Sequence, residues 1–377
     1  MDEASFGQLK AQVKAYVEGR ASELARQIEE TGECGRDIWD ELRALGYLRL
    51  AAPEAYGGMG LSLSRYLELL ELFSQMHGSM RMIVHVINGI WRPTDRLATP
   101  AQRERYVKPL VRGEHTVTFT LTEPNAGTGT DIRTSARREG DQYVLNGEKW
   151  LITFADVADI FLLFCRLEGT QGAQGTLALL VPRDAPGLTV EPMPPTMGLT
   201  GTGHGHLFLR DCRVSVADRL GEEGDGLDVA FHGFLDPSRI CIGMTCVGLA
   251  ERALTLAVRR ARERVTFGKP LAQRQNIQMM IAEMATDIEA ARQLVYHAAR
   301  VFERGEDASA AASMAKLFGS EMLQRVTDRA LQIHGGIGYF RGSEIERIYR
   351  DARAQRFEEG TAEIQKTVIA RARIAAT

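Results

Sequence analysis

Near its C-terminal end the chain reads RFEEGTAEIQ (356 to 365), with Glu358 and Glu359 side by side before Gly360 and Thr361. A carboxylate held within hydrogen-bond reach of a weakly acidic proton can remove it, and a dry site raises the carboxylate's proton affinity. The simpler use of two such acids is to favour the dipole at a helix start, with Thr361 as the cap. Four further stretches could carry chemistry. LTEPNAGTG (121 to 129) leaves a strand for a small, Gly-rich loop whose backbone N–H groups and hydroxyls could meet a phosphate, or could simply form a strand-exit turn. KWLIT (149 to 153) sets Trp150 three residues before Thr153, so an indole could lie on a flat ring and a hydroxyl could meet a ring nitrogen; the alternative is a buried strand tryptophan. RRARERVTFGKP (259 to 270) is a basic cluster of the kind that usually coats a helix end. QIHGGIGYF (332 to 340) pairs glycines with His334, which reads first as a helix C-cap and a loop histidine. The sequence holds no HExxH, paired CxxC or clustered carboxylates for a metal, no GxSxG elbow and no Walker loop.

The elements that must position these residues are legible in the periodicity. Phe6, Leu9, Val13 and Val17 share one helical face, and Leu63, Tyr66, Leu67, Leu70 and Phe73 share another, with breaks expected at PEAYGGMG (53 to 60) and near RPTDRLATP (92 to 100). TVTFTLTEP alternates with period 2 and predicts a strand. YVLNGEKWLIT places Asn146-Gly147 between two apolar runs and predicts a hairpin turn there. Further strands are expected at DIFLLFCRL, TLALLVP, LTVEPM and HLFLRDCRV, after which the helical period returns, as in Ala291, Leu294, Val295, Ala298, Val301 and Phe302. The order helices, strands, helices argues for an α+β fold with segregated domains, divided at 1–115, 116–225 and 226–377.

The chain has 377 residues, 44% of them hydrophobic and 25% charged, enough for a substantial core. A net charge of -3 with interspersed signs disfavours nucleic acid and anionic membranes as partners. Five cysteines without CxxC spacing, mostly in apolar surroundings, read as reduced core residues and suit the cytoplasm. The polar N-terminal MDEASFGQLKAQ has no apolar targeting segment, and no membrane span is expected.

Taken in order, LTEPNAG, NGEKWLIT, ERVTFGKPLAQRQ, QIHGGIGY, RDAR (350 to 353) and EEGTAEIQ resemble the acyl-CoA dehydrogenases along nearly the whole chain. That resemblance implies an N-terminal helical domain, a central antiparallel β-domain and a C-terminal four-helix bundle. It also implies FAD and α,β-dehydrogenation of an acyl-CoA, with Glu359 removing the α-proton while a hydride passes to flavin N5. Ser238 precedes Arg239 where some members carry the base instead. By the same resemblance Phe119, Leu121, Thr122, Thr128, Trp150 and Thr153 line the flavin. Arg264, Thr266 and Gln275 reach the pyrophosphate and adenosine of a FAD held mainly by a neighbouring subunit, completed by Gln332, Gly335 and Gly336. Thr361 and Glu363 belong to the flavin-contacting segment, and Thr128, Asp236, Ser238, Arg239 and Gly360 to the substrate site. A homodimer or homotetramer, fatty acid metabolism and an electron-transfer flavoprotein as electron acceptor are implied as well.

The sequence departs from the family in NAGTGTD, where Thr128 and Gly129 replace the usual serine and aspartate, and in MGLTGTGHGHLFL (197 to 209), where Thr200 replaces an arginine. His204 and His206 in that stretch could touch substrate or sit in an exposed loop. These changes keep open an acyl group held on a carrier protein, or a flavin oxidase or monooxygenase of the same fold. Arg81 lies one residue from a place where relatives using dicarboxylic substrates put an arginine, and is expected at the surface.

Overall fold

The computed structural model describes residues 1 to 127 and 129 to 376. The chain opens with α1 (Glu3–Glu18), capped by Asp2, whose carboxylate accepts from the Ser5 amide, and buries Phe6, Leu9, Val13 and Val17 as the periodicity predicts. α2 (Arg20–Thr31) and α3 (Arg36–Ala44) follow, then, beyond the 53–60 loop, α4 (Leu63–Phe73) and α5 (Gly78–Asp95). Pro93 sits inside α5, so the helix runs past the break expected near 92 and the chain turns only at Arg96 to Thr99. α6 (Pro100–Gln102) continues through a π turn into α7 (Lys108–Arg112).

The strands are β1 (Val117–Thr120), β2 (Ser135–Glu139), β3 (Gln142–Thr153), β4 (Ile160–Leu167), β5 (Thr176–Pro182), β6 (Leu188–Pro192), β7 (His204–Ser215) and β8 (Arg219–Leu220). They form one sheet in the order β6-β7-β3-β2-β4-β5-β8, with β1 also on β4. Most pairs are antiparallel, as expected, but β1 and β2 both run parallel to β4. β4 and β5 are buried on both faces, which explains their unbroken apolar sequences.

The expected hairpin turn at Asn146-Gly147 is not one. Both residues lie inside β3, where the ladder with β7 shifts register between Leu145 and Gly147. Gly147, at φ 147°, supplies the freedom for a bulge rather than a turn, and the Asn146 amide exchanges two hydrogen bonds with Asp211. The β2–β3 connection falls earlier, at Gly140-Asp141. A local dipeptide signal cannot distinguish these two uses of positive φ.

α8 (Gly226–Ala230) passes through a π turn at Phe231–Leu235 into α9 (Asp236–Glu263). A short ribbon of β9 (Val265–Thr266) and β10 (Lys269–Pro270) leads to α10 (Gln275–Glu303), α11 (Ser309–His334), α12 (Glu344–Ala354) and α13 (Ala362–Ala375). The stretch from 226 to 263 is long and apolar enough to cross a bilayer by composition alone, yet most of it is buried against the other helices. The Ser309 hydroxyl donates to Asp236 Oδ2 at 2.8 Å, which fixes the start of α11 beside the start of α9. All five cysteines are free, and four are buried.

Candidate active site

Glu359 lies in the loop between α12 and α13 with φ 55°, a left-handed backbone that is uncommon for a residue with a side chain and costs of order 1 kcal/mol. Side chains from three helices hold that backbone in place. Arg239 Nε on α9 (3.2 Å) and Gln365 Nε2 on α13 (3.1 Å) donate to the Glu359 carbonyl, and Lys316 Nζ on α11 donates to the Gly360 carbonyl at 2.6 Å. The Ser238 hydroxyl donates to Glu359 Oε1 at 3.0 Å, and Oε2 has no hydrogen-bond partner among the described residues. Burial pushes the Glu359 carboxyl up to about 7, with neighbouring Glu358 adding to the rise and Ser238, Arg239 and Lys316 opposing it. Burial likewise pulls the Lys316 ammonium down to about 8.

Asp236 is fully engaged, accepting from Arg239 Nη1 (3.1 Å) and Ser309 and standing 3.3 Å from His232 Nδ1. It therefore helps to hold Arg239 in place beside the Glu359 loop. Glu358 points the other way, toward α5, with its Oε1 3.6 Å from Arg81 Nη2 and 3.4 Å from Gln355 Nε2.

Arg81 corrects the expectation of a surface residue: it is 1% exposed and the largest fully buried side chain described. Its Nε and Nη2 make no hydrogen bond among the described residues, and its Nη1 lies 3.4 Å from His85 Nδ1. His85 Nε2 in turn lies 2.9 Å from Ser238 Oγ. His85 and Lys316 lie outside the chemistry-bearing motifs, and Gln365 closes RFEEGTAEIQ without standing out as a candidate site residue. The available signal was a polar side chain interrupting an apolar helix stripe, as in RMIVHV and SMAKLFG.

His204 and the loop before it are not an exposed appendage. The Leu199 amide donates to Asp351 Oδ1 at 2.7 Å, Arg350 Nη1 donates to the Met197 carbonyl, and Leu199 and Thr202 are buried. A Cβ on Gly78 would stand 2.4 Å from Leu199 Cδ2 and 2.8 Å from Asp351 Oδ2. Gly78→Ala should therefore cost about 1–3 kcal/mol in chemical unfolding and loosen the 197–203 loop, read as faster amide exchange at Leu199.

On the sheet side, the Trp150 amide donates to the Thr122 carbonyl, joining the exit of β1 to the middle of β3. Thr153 Oγ1 lies 3.3 Å from His204 Nε2, and its carbonyl accepts from Thr118. Leu121 is buried, and Phe119 packs on Phe164 and Phe234. Beneath them Lys149 Nζ bonds Glu123 Oε1 at 2.7 Å and the Leu121 carbonyl, with both side chains almost wholly buried. Burial works against the Glu123 carboxylate, but Lys149 and the Arg133 and Thr134 amides outweigh it and hold the group below its ordinary range. The fit to a flat ring rests on the second irregularity of β3: the ladder shifts register between Lys149 and Ile152, Leu151 takes φ 56° and stays half exposed, and Trp150 is left only partly covered. Thr122, Trp150 and Thr153 thus border one partly open surface that would hold an isoalloxazine. Thr128 lies outside the described residues.

The remaining sequence-predicted residues stand elsewhere. Arg264 ends α9, Thr266 on β9 accepts from Arg274, Gln275 opens α10, and Gln332, Gly335 and Gly336 lie at the end of α11. Because α9 and α11 start together, all six collect at the far end of the bundle, about 38 Å along α9 from Arg239 at 1.5 Å per residue. Thr361 precedes α13 as its N-cap residue without a side-chain capping bond, and Glu363 is exposed in its first turn.

A carboxylate whose proton affinity lies near neutrality and a partly open sheet surface that would hold a flavin fit a flavin-dependent oxidoreductase. The chain belongs to the acyl-CoA dehydrogenase family: models of that family's N-terminal, middle and C-terminal domains match residues 5–114, 118–212 and 224–374. It is 35% identical over 350 residues to the caffeyl-CoA reductase-Etf complex subunit CarC of Acetobacterium woodii, covering 92% of each chain. Among solved structures it resembles butyryl-CoA dehydrogenase from Megasphaera elsdenii (32% identity, 99% of each chain, TM-score 0.93). It also resembles the prolyl acyl carrier protein oxidase AnaB (31% identity, 98% of this chain and 99% of that one, TM-score 0.90). FAD is the family's cofactor.

Proposed function

We propose that the protein interconverts an acyl-CoA and its trans-2-enoyl-CoA, with Glu359 exchanging the α-proton. The observation that carries this reading is the carboxyl of Glu359, fixed by Ser238 and a pinned backbone and raised by burial to about 7. Near neutral pH such a group is both a competent base and a competent acid, so one residue serves dehydrogenation and, by microscopic reversibility, reduction. Dehydrogenation is the direction we favour, and a relative named as a reductase keeps the reverse in view. When bound, the flavin supplies the hydride acceptor. The chain's own part is to desolvate the carboxyl, to leave Oε2 free for the substrate carbon, and to fix Oε1 through Ser238.

The separation of the base from Arg264, Thr266, Gln275, Gln332, Gly335 and Gly336 supports a shared cofactor. The two groups are too far apart for one extended flavin dinucleotide, so those six residues would serve a FAD whose ring lies in a second copy of the chain. The same end of the bundle carries uncovered apolar side chains, among them Phe267 (97% exposed) and Tyr339 (83%), which suits a dimer or a dimer of dimers. An electron-transfer flavoprotein is the expected redox partner, consistent with the relative named as an Etf-complex subunit.

The test is an anaerobic titration of the flavin-loaded protein with acyl-CoA esters of rising length and branching, including esters with a polar acyl tail because Arg81 has two buried nitrogens without hydrogen-bond acceptors. Bleaching of the visible flavin band by one subset is the expected result, with a rate that rises with pH through an apparent pKa near 7 as Glu359 loses its proton. Inert esters with a dithionite-reducible flavin would count against an acyl-CoA substrate. The carrier-bound reading is favoured by the likeness to AnaB, and bleaching by an acyl carrier protein thioester alone would establish it.

A further inference from the structure

We infer that Arg81, His85 and Ser238 form a polarised relay that orients Glu359 and stabilises its carboxylate, with Arg81 and His85 as positioning residues outside the reacting atoms. This rests on the reading of Glu359 as the proton-exchanging group. The direction of each hydrogen bond follows from donor chemistry. A guanidinium can only donate, so His85 Nδ1, 3.4 Å from Arg81 Nη1, must accept. The neutral imidazole then carries its proton on Nε2 and donates to Ser238 Oγ at 2.9 Å. The Ser238 hydroxyl, its acceptor side occupied, aims its own proton at Glu359 Oε1, 3.0 Å away. Every dipole in the chain therefore points toward Glu359, with a fixed positive charge at the far end. Such chains strengthen one another in a dry interior.

His85 cannot act as a proton carrier here, because burial, aided by Arg81 and Arg92, holds it far below its ordinary range, at about 3. It stays a neutral donor throughout the working pH range. Arg81 is ion-paired with Glu358 Oε1 at 3.6 Å through Nη2, and the relay engages its Nη1, since a buried guanidinium is costly unless it is paired and hydrogen-bonded. Other charged groups also face Glu359: Glu358 on its own loop, Arg239 on α9 and Lys316 on α11. None of them interrupts the relay, whose members come from α5 and α9 alone.

The relay predicts where the pH profile of substrate-driven flavin reduction will lie. Ser238→Ala removes the donor to the charged form, and His85→Leu removes the bond that turns the Ser238 hydroxyl toward it, so each should move the rising limb upward by about one pH unit, which is roughly a tenfold loss of rate below the limb. The two together should shift it no further than either alone, since both cut the same chain. His85→Gln, which keeps an N–H donor, should restore most of the original profile and covers the case in which His85→Leu does not fold. A second readout is the pH dependence of Tm, taken as the difference between each variant and the same variant carrying Glu359→Gln, whose midpoint should shift in parallel. An unchanged limb in folded, flavin-loaded His85→Leu, additive shifts, or no rescue by His85→Gln would overturn the relay. Full activity of Glu359→Gln would instead remove the reading on which the relay rests.

Discussion

Glu359→Gln is expected to bind flavin and assemble normally while substrate-driven flavin reduction slows by roughly 10³-fold or more, the scale of a lost general base. The geometry allows the swap. The amide has the size of the carboxyl, can still accept from Ser238, and leaves the backbone bonds from Arg239 and Gln365 in place. Glu358→Gln should retain most of the rate, because Glu358 faces Arg81 and Gln355 rather than the Ser238 side of the site. Rapid-mixing absorbance under anaerobic conditions measures both. Undiminished reduction by the Glu359 variant would sink the assignment of the base.

The same substitution has a pH signature in stability. The folded protein keeps the Glu359 proton up to about pH 7, while the unfolded chain releases it near the ordinary value of 4.5. Between those values the native state binds more protons, so this group's contribution to stability falls as pH rises through the window. Glu359→Gln removes that penalty. Relative to the parent it should gain little below pH 4.5 and at most about 3 kcal/mol above pH 7, read as a widening Tm difference.

A large loss of stability is expected from Lys149→Met. The ammonium is 0% exposed and bonds Glu123 and the Leu121 carbonyl, so its removal leaves a buried carboxylate without its cation. Breaking one side of such a pair costs about 3–5 kcal/mol. Glu123 also accepts from the Arg133 and Thr134 amides, so the damage should reach the loop that leaves β1 and weaken flavin retention. Adding Glu123→Gln should recover part of the stability, because the stranded charge then disappears while the amide nitrogen can no longer accept from one of the two backbone N–H groups. Denaturant unfolding of the two single variants and the double variant measures this, and a double variant no better than Lys149→Met would refute the pairing argument.

Legibility from sequence followed the range of the interactions. β4 to β7 lie where alternating or continuous apolar residues predict them, and the buried face of α1 is the one its period marks, because both patterns report burial that the local chain already encodes. Asn146-Gly147 was misleading because the same tolerance for positive φ serves a turn or a bulge, and the partner strand β7, more than sixty residues away, decides which. Arginine is usually outside, and nothing local in SMRMIVH marks Arg81 as an exception. Only the packing of α5 against α9 and the 358–359 loop creates a setting where it is buried. His85 and Lys316 show in the sequence only as polar side chains interrupting apolar stripes, and neither these nor Gln365 reveals its role, since their partners are Ser238, the Gly360 carbonyl and the Glu359 carbonyl in other elements. RDAR stood out through resemblance, whereas its job of tying Arg350 and Asp351 to the 197–199 segment emerges only from the fold.

The left-handed backbone at Glu359 bears on how the protein would respond to selection for heat resistance. Asparagine or glycine at this position would relax the dihedral, and any neutral residue there would lift the cost of a buried carboxylate, so inactive sequences gain at both levels. A library propagated for thermal survival alone should drift away from glutamate at position 359, and the acid should persist only where turnover is also demanded.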